Sequence, residues 1–285
     1  MIYLDSAATS LQKPEGVQYA VISAMSNMAS PGRGSHAAAM LASDECFACR
    51  EAIAELFNVP EPENVVFTFN ATHGLNIAIR SVAGAGDAVL VSGYEHNSVT
   101  RPLRAVGAEI IAVKTPLFDT GAFLEEFKKR LPECRAAVCT HVSNVFGYIL
   151  PIEEIARLCR SAGKPLVIDA SQSAGVLDVD FQSLGADFAA MPGHKGLLGP
   201  QGTGVLLCKN EAKPLLYGGS GSSSRVQDMP EFLPDRLEAG THNVCGIAGL
   251  HAGVKYILRR GTASIRAHER SLLELTARRL AAAPG

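Results

Sequence analysis

Short apolar runs rich in β-branched residues alternate with helix-length amphipathic stretches along most of the chain. Runs of this length and composition predict strands buried on both faces, and the alternation predicts a mostly parallel sheet covered by helices. Seven runs fit this description: 65–69, 88–92, 109–113, 136–140, 165–169, 187–191 and 203–208. The last two are joined by a turn without a helix, so we expect the seventh strand to pair antiparallel at an edge of the sheet.

Helical periodicity is clearest in three longer segments. The stretch 37–57 is amphipathic and contains Cys46 and Cys49. A C-x-x-C pair can bind metal or perform redox chemistry, but no second pair follows at zinc-finger spacing. We therefore interpret the two cysteines as residues near the core face of a helix and predict no metal site. Near the end of the chain, helical patterns run from 245 to 259 and from 263 to 283.

Composition and charge narrow the class of protein. The chain has 285 residues and 47% hydrophobic content, enough for a large core. A net charge of -2 without a polybasic block argues against nucleic acid and anionic membranes as partners. No apolar run is long enough to span a membrane, and the N-terminus lacks a signal-peptide pattern. The seven scattered cysteines fit a reducing compartment, so we expect a cytoplasmic protein.

Polar residues gather where the predicted strands end. Ligands of open α/β sheets bind outside the carboxyl ends of the strands. The side chains expected there include Asn70, Thr72, His73, Tyr94, Glu95, His96, His141, Ser143, Asn144, Asp169, Ser171, Gln172, His194 and Lys195. The chain has no Walker A motif, no G-x-S-x-G elbow, and only an incomplete glycine pattern at 84–89 that precedes a strand, so nucleotide-binding and hydrolase motifs are excluded.

Three of these residues suggest one ligand. Lys195 could form a Schiff base with a carbonyl cofactor such as pyridoxal phosphate, although a lone lysine in a turn is ordinarily a surface residue. Asp169, at the end of a buried strand, could pair with a protonated pyridine nitrogen or cap the next helix. Thr72 begins a helix whose N-terminus could bind phosphate, or is an ordinary N-cap. Their order on successive strand ends favours a cofactor between them, with His96 available to stack on its ring.

Several motifs together resemble the class V aminotransferase superfamily, and within it most closely the cysteine desulfurase and selenocysteine lyase group. They cover nearly the whole chain in colinear order. The motifs are YLDSAATS (3–10), VVFTFNATHGLN (65–76), YEHNS (94–98), HVSNVFG (141–147), IDASQSAG (168–175), GHK (193–195), GPQGTG (199–204) and RLEAGTHN (236–243).

This resemblance implies an α/β protein of pyridoxal-phosphate (PLP)-dependent transferase fold type I, with a mostly parallel seven-stranded sheet sandwiched by helices. The implied domains are an N-terminal segment (1–15), a PLP-binding large domain (16–255) and the start of a small C-terminal domain (256–285) that is largely missing. Enzymes of this kind work as homodimers.

The resemblance also implies a role for individual residues. Lys195 would carry the cofactor as a Schiff base and then act as general base, Asp169 would pair with the pyridine nitrogen, and His96 would stack on the ring. Asn144 and Gln172 would bind near the phenolic oxygen. The remaining assignments are Thr72 and His194 to the phosphate, His73 beside Thr72, Thr241 reaching the partner subunit's cofactor, and Arg33 and His36 near the substrate entrance.

The implied reaction removes sulfur from L-cysteine, giving alanine and a persulfide on an enzyme cysteine, with a sulfur-acceptor protein as a candidate partner. The family's catalytic cysteine and carboxylate-binding arginine belong to regions beyond Gly285, and none of the seven cysteines matches that position, so we expect a truncated chain. Pro192 and the longer turn after Lys195 indicate a divergent subgroup. Selenocysteine lyase, another class V aminotransferase or epimerase, and an inactive cofactor-binding fragment remain alternatives.

Overall fold

A seven-stranded sheet forms the centre of the computed structural model, which describes residues 2–32, 34–209, 212–222 and 225–282. The strands are β1 (Val65–Thr68), β2 (Ala88–Val91), β3 (Glu109–Ala112), β4 (Ala136–Thr140), β5 (Leu166–Asp169), β6 (Phe188–Pro192) and β7 (Gly204–Cys208). They lie in the order β1-β7-β6-β5-β4-β2-β3. Neighbours among β2 to β6 pair in parallel, which confirms the predicted mostly parallel sheet.

Strand β7 alone runs against the others. It pairs antiparallel with both β1 and β6, so the predicted direction is confirmed, but the predicted edge position is wrong. β7 is buried along its whole length, as an interior strand must be. Glycine at position 204 allows β7 to lie this close to the residues that follow β1, because a Cβ there would lie 2.6 Å from the carbonyl carbon of Asn70.

Nine helices are found in the described part of the chain. They are α1 (Glu15–Asn27), α2 (Ala37–Phe57), α3 (Ala71–Val82), α4 (Asn97–Ala105), α5 (Thr120–Arg130), α6 (Ile152–Ser161), α7 (Phe181–Leu184), α8 (Val244–Arg260) and α9 (Thr262–Ala281). Helices α3 and α4 pack on one face of the sheet, whereas α2, α5, α6 and α8 pack on the other. Side chains of the strands alternate between the two cores, as Phe67 and Val66 of β1 do.

A buried ion pair ties α2 to the segment that precedes α8. The Arg50 Nη2 atom lies 2.5 Å from Glu238 Oε2, and Arg50 also donates to the carbonyl oxygen of Val65. Glu238 accepts a hydrogen bond from the backbone N–H of Phe67 at 2.6 Å, and His242 Nε2 lies 3.0 Å from its other oxygen. Every charge in this group has a partner, so the pair joins α2, β1 and the 238–242 segment.

Helix α9 packs little against the rest of the molecule. It has no buried residue in the described part of the chain, and Leu273 and Leu280 are about 70% exposed. The predicted domain boundary between 255 and 256 lies inside α8, and the division into domains stays a prediction. None of the helices described is both long and apolar enough to cross a lipid bilayer.

Candidate active site

A cavity of about 430 Å³ opens at the carboxyl edge of the sheet. β1, β2, β4, β5 and β6 all point towards this edge, because β7 alone runs the other way. The loops that follow these strands therefore bring together side chains far apart in sequence. The predicted site residues that line the cavity are Thr72, His96, Asn144, Asp169, Gln172, His194 and Lys195.

Asp169 is the buried end of β5 and lies in this cavity. Its Oδ1 atom accepts a hydrogen bond from the Ser171 backbone N–H at 2.9 Å, and it forms no ion pair with any described residue. Burial raises the pKa of this carboxyl, although Ser171 and the nearby charges of Lys195 and His96 oppose the rise. A buried carboxylate without a cation is costly, so the site is suited to a cationic group of a ligand.

Lys195 follows β6 in a tight turn and is half-buried. Burial lowers the pKa of its amine, and Asp169 partly opposes this effect. A Cβ on Gly196 would lie 2.2 Å from the carbonyl oxygen of Ala174, so a glycine is required for this turn to pack against the segment after β5. The packing keeps the lysine beside Asp169, with an amine that loses its proton more readily than a surface lysine.

The N-terminus of α3 forms another wall of the cavity. Asn70 is the N-cap, since its side chain accepts a hydrogen bond from the His73 backbone N–H at 2.9 Å. Thr72 therefore lies inside the first turn, and the alternative that it caps the helix is wrong. Its hydroxyl lies 2.8 Å from Ser98 Oγ, which is 2.8 Å from His96 Nδ1. Free backbone N–H groups and a hydroxyl at a helix start are suited to an anion such as phosphate.

Glu95, which follows the second predicted strand but was given no role from the sequence, holds the loop that carries His96. Its carboxylate accepts hydrogen bonds from the backbone N–H groups of Ser92 at 2.9 Å and Gly93 at 2.8 Å, and from the Ser92 hydroxyl. It also accepts a longer bond of 3.4 Å from the Thr140 backbone N–H. These bonds link the ends of β2 and β4. Burial raises the pKa of Glu95 despite them.

Four of the predicted site residues lie outside the cavity or outside the described residues. His73 and Thr241 line a smaller neighbouring cavity, where the His73 ring stacks on Phe69 with centroids 4.7 Å apart. Burial lowers the pKa of His73, and its Nε2 atom is buried without a partner among the described residues. His36 caps α2 through its ring nitrogen. Arg33 lies outside the described residues.

The segment 3–13 is the main part of the site that residue-by-residue reasoning missed. Asp5, Ala7 and Ala8 line the cavity, and the side-chain amide of Gln172 donates to the carbonyl oxygen of Ala7 at 3.1 Å. This contact joins residues 165 positions apart in the chain. The only signal for it was the motif 3–10, which suggested a family and gave no role to its residues.

No cysteine in the described part of the chain lines the cavity. Six of the seven are buried and Cys245 is half-buried. Burial raises the pKa of Cys46 to about 12, and that of Cys159 to about 12 as well. Cys46 and Cys49 pack in the core from α2, as predicted. A thiolate near the cofactor position is therefore not supplied by these residues.

The family model described as aminotransferase class-V matches residues 2–285. The chain belongs to the class-V aminotransferase family. It is 35% identical to a probable cysteine desulfurase of Methanothermobacter thermautotrophicus over 96% of this chain and 70% of that protein. It is 36% identical to a probable cysteine desulfurase of Vibrio cholerae over 94% of this chain and 70% of that protein.

Solved structures give the same result. The apo structure of a cysteine desulfurase from Thermococcus onnurineus aligns with a TM-score of 0.89 at 32% identity, covering 97% of this chain and 72% of that one. The predictions of a PLP-dependent enzyme family and of a cysteine-desulfurase-like member within it are confirmed, as is fold type I. The chain spans about 70% of the length of these relatives.

The residues present fit PLP. Asp169 offers a buried carboxylate that no described residue pairs with, and a pyridinium nitrogen requires such a partner. Lys195 offers an amine of lowered pKa for the aldehyde carbon, and the start of α3 offers N–H donors for the phosphate. Pro192 also lines the cavity, and as a proline it has no backbone N–H to donate.

Proposed function

We propose that the chain is a cysteine-desulfurase-like enzyme that uses PLP to remove sulfur from L-cysteine and release alanine. The observation that supports this proposal best is that Asp169 and Lys195 line the same cavity: a buried carboxylate that forms no ion pair with any described residue, and an amine of lowered pKa. In a pyridine aldehyde such as pyridoxal, the ring nitrogen and the aldehyde carbon lie on opposite sides of the ring. A carboxylate can bind the protonated nitrogen while an amine bonds to the aldehyde carbon.

Each side chain has a defined task in this proposal. Asp169 would hold the pyridine nitrogen in its protonated form, and Lys195 Nζ would bond to the aldehyde carbon. His96 would lie against the ring, and the start of α3 with Thr72 and His194 would bind the phosphate. Asn144 and Gln172 donate hydrogen bonds near the phenolic oxygen. His73 is assigned to the same region as Thr72, and Arg33 and His36 are assigned to the substrate entrance.

Proton transfer at the substrate's α-carbon is assigned to Lys195. When bound, the cofactor supplies an electron sink for the carbanion that this step leaves behind. With the substrate bound, the Lys195 amine would accept the α-proton in its neutral form. Its lowered pKa increases the neutral fraction near pH 7, which is what a general base requires.

Sulfur transfer needs a thiolate that these cavity residues do not contain. The thiolate attacks the substrate sulfur, so an S–S bond forms as the C–S bond breaks. The electron pair of the C–S bond returns to the carbon skeleton, which takes up a proton and leaves as alanine. We therefore propose that the persulfide forms on a thiol from outside the described residues, and that a sulfur-acceptor protein takes it from there.

The proposed assembly is a cytoplasmic homodimer. Thr241 lines the small neighbouring cavity and not the 430 Å³ cavity that holds Asp169 and Lys195. This position suits a residue that reaches the cofactor of the partner subunit. Apolar side chains around this edge are exposed, including Phe69, Val145 and Phe146. Sedimentation analysis of the purified protein tests the dimer, and a monomer that binds PLP with full occupancy would contradict the role of Thr241.

The test of function compares wild type with Lys195→Ala after addition of PLP, with Lys128→Ala on the exposed side of α5 as matched control. We expect the visible absorption of attached cofactor in wild type and Lys128→Ala, and its loss in Lys195→Ala. With L-cysteine and an added small thiol, alanine formation should fall by at least about 100-fold in Lys195→Ala. Wild-type protein without the absorption would overturn the proposal, and pyruvate in place of alanine would show elimination and not desulfuration.

A further inference from the structure

More hydrogen-bond donors lie near the carbonyl oxygen of His194, the residue before Lys195, than this oxygen can accept bonds from. It lies 3.1 Å from the Ser10 backbone nitrogen, 3.0 Å from Ser10 Oγ, 3.2 Å from Thr9 Oγ1 and 3.4 Å from Lys13 Nζ. All of these donors come from residues 3–13, which we call the N-terminal strap. A carbonyl oxygen has two lone pairs, so at least one donor is available for another acceptor.

The Thr9 hydroxyl has such an acceptor within reach. Thr9 Oγ1 lies 3.0 Å from His194 Nδ1, closer than its 3.2 Å to the His194 carbonyl oxygen. Ser10 and Lys13 can serve the carbonyl without Thr9. The hydroxyl proton of Thr9 is therefore free to bind Nδ1, and a hydroxyl that donates there requires a ring with no proton on Nδ1.

The protonation of His194 decides what the other ring nitrogen can do. Burial lowers the pKa of His194, and the positive charges of Lys195 and Lys13 lower it further, so the ring is neutral near pH 7. A neutral imidazole carries one N–H, and the hydrogen bond at one nitrogen selects the tautomer. If Thr9 donates to Nδ1, the proton resides on Nε2.

His194 Nε2 has no hydrogen-bond partner within the described part of the chain, and His194 lines the cavity. An Nε2–H group would donate to an anion there. The opposite tautomer would present a lone pair to the same anion, which is repulsive. The choice of tautomer thus determines whether His194 helps or hinders the binding of a phosphate group.

We propose that Thr9 is a positioning residue whose hydroxyl donates to His194 Nδ1 and thereby holds an Nε2–H donor towards the cofactor phosphate, while Ser10 and Lys13 fix the peptide between His194 and Lys195. This inference rests on the proposed function for the identity of the anion. The contact between the strap and His194 involves only residues of this chain, so it can be measured in protein prepared without cofactor.

The test uses Thr9→Val, which has a similar shape without the hydroxyl, and Thr9→Ser, which restores it. Thr276→Val on exposed α9 is the matched control. Long-range nitrogen–proton NMR spectra of cofactor-free protein report the tautomer of each histidine, and His194→Gln assigns the signal. We expect Nε2–H in wild type and Thr9→Ser, and a mixture in Thr9→Val. The dissociation constant for PLP should rise about two- to tenfold in Thr9→Val and stay unchanged in Thr276→Val.

Two results would overturn the inference: an Nδ1–H tautomer in the wild type, or equal PLP affinity of Thr9→Val and wild type. If Thr9→Val does not fold, the His194 tautomer measured in the wild type and in Thr9→Ser still tests the inference. If wild type does not bind PLP, the proposed function fails, whereas the spectra of the cofactor-free protein still confirm or refute the Thr9–His194 hydrogen bond. The two proposals can therefore fail separately.

Discussion

Asp169 shows how burial turns a common side chain into a specific ligand group. On an exposed loop, a carboxylate is solvated and selects nothing. At the buried end of β5 its pKa is raised by burial, although hydrogen bonding from Ser171 opposes the rise, and the carboxylate forms no ion pair with any described residue. The free energy of binding a cation is therefore larger here than at the surface, because the carboxylate is already desolvated.

Asp169→Asn tests this reasoning at the residue scale. The amide keeps the shape but removes the charge, so a protonated pyridine nitrogen loses a charge-assisted hydrogen bond. We expect PLP affinity to fall roughly 10- to 100-fold, measured by absorbance titration. Asp178→Asn, at an exposed position, is the matched control and should bind as wild type does. An unchanged affinity of Asp169→Asn would show that this carboxylate does not face the pyridine nitrogen.

At the scale of elements, α2, β1 and the 238–242 segment depend on one ion pair. Burial by itself would raise the pKa of Glu238, but Arg50 and His242 outweigh it and hold the pKa below its usual range. Arg50 also lies 4.2 Å from the centroid of the Phe67 ring. The 238–242 segment carries Thr241, so this pair sets the position of a residue proposed to reach a second subunit.

Arg50→Met should destabilise the protein by about 3–5 kcal/mol, because it leaves the Glu238 charge buried without its main partner. The free energy of unfolding in urea measures this effect. Arg130→Met, which breaks a more exposed pair with Glu126, is the control and should cost at most about 1 kcal/mol. A cost of that size for Arg50→Met as well would mean that His242 alone compensates Glu238.

The whole molecule combines two cores with buried ionisable groups, so its stability should depend on pH. Burial, with a smaller contribution from Arg266, lowers the pKa of His141 to about 4. In an unfolded chain a histidine has a pKa of about 6.5. As pH falls from 6.5 to 4, protons bind the unfolded state and not the folded one, so stability is lost. Glu238 acts at lower pH: its contribution is present above about 4.3 and is lost as pH falls through its depressed folded-state pKa.

His141→Phe isolates the first of these effects. The His141 Nδ1 atom is buried without a hydrogen-bond partner in the described residues, so replacing the imidazole by a phenyl ring removes no hydrogen bond of this atom. We expect wild type to lose roughly 3 kcal/mol more than His141→Phe between pH 6.5 and pH 4, from urea unfolding at several pH values. His268→Phe on exposed α9 should keep the wild-type slope. Parallel slopes for wild type and His141→Phe would contradict the neutral, buried state of His141.

Much of the fold was predictable because its signals are local. Each central strand is buried on both faces and therefore reads as a continuous apolar run, and the seven predicted runs match β1 to β7 within a residue or so at each end. The position of β7 was not predictable in this way. It depends on the close approach of Gly204 to Asn70, a contact between residues that no short pattern connects.

The residues of the candidate site likewise fall into those that local sequence patterns predict and those that they do not. Asp169, Lys195 and Thr72 could be proposed from sequence because each follows a predicted strand, and parallel strands end at one edge of a sheet. The position of Glu95 followed from the same rule, but its role as an acceptor for backbone groups and the contacts of the N-terminal strap could not be predicted, since a carboxylate or hydroxyl that binds backbone groups has no preferred spacing from its target. Thr9 and His194 are 185 positions apart, and only the folded chain makes them neighbours.

Sequence alone was thus sufficient for the class of fold, the family, and the edge of the sheet where chemistry can occur, because apolar periodicity and strand order act over short distances. Tertiary structure was needed to show that Asp169 forms no ion pair with any described residue, that Thr241 and His73 lie apart from the main cavity, and that the strap holds the peptide before Lys195. The physical reason is that burial and hydrogen-bond partners are properties of packing between distant segments, and side-chain pKa values follow from them.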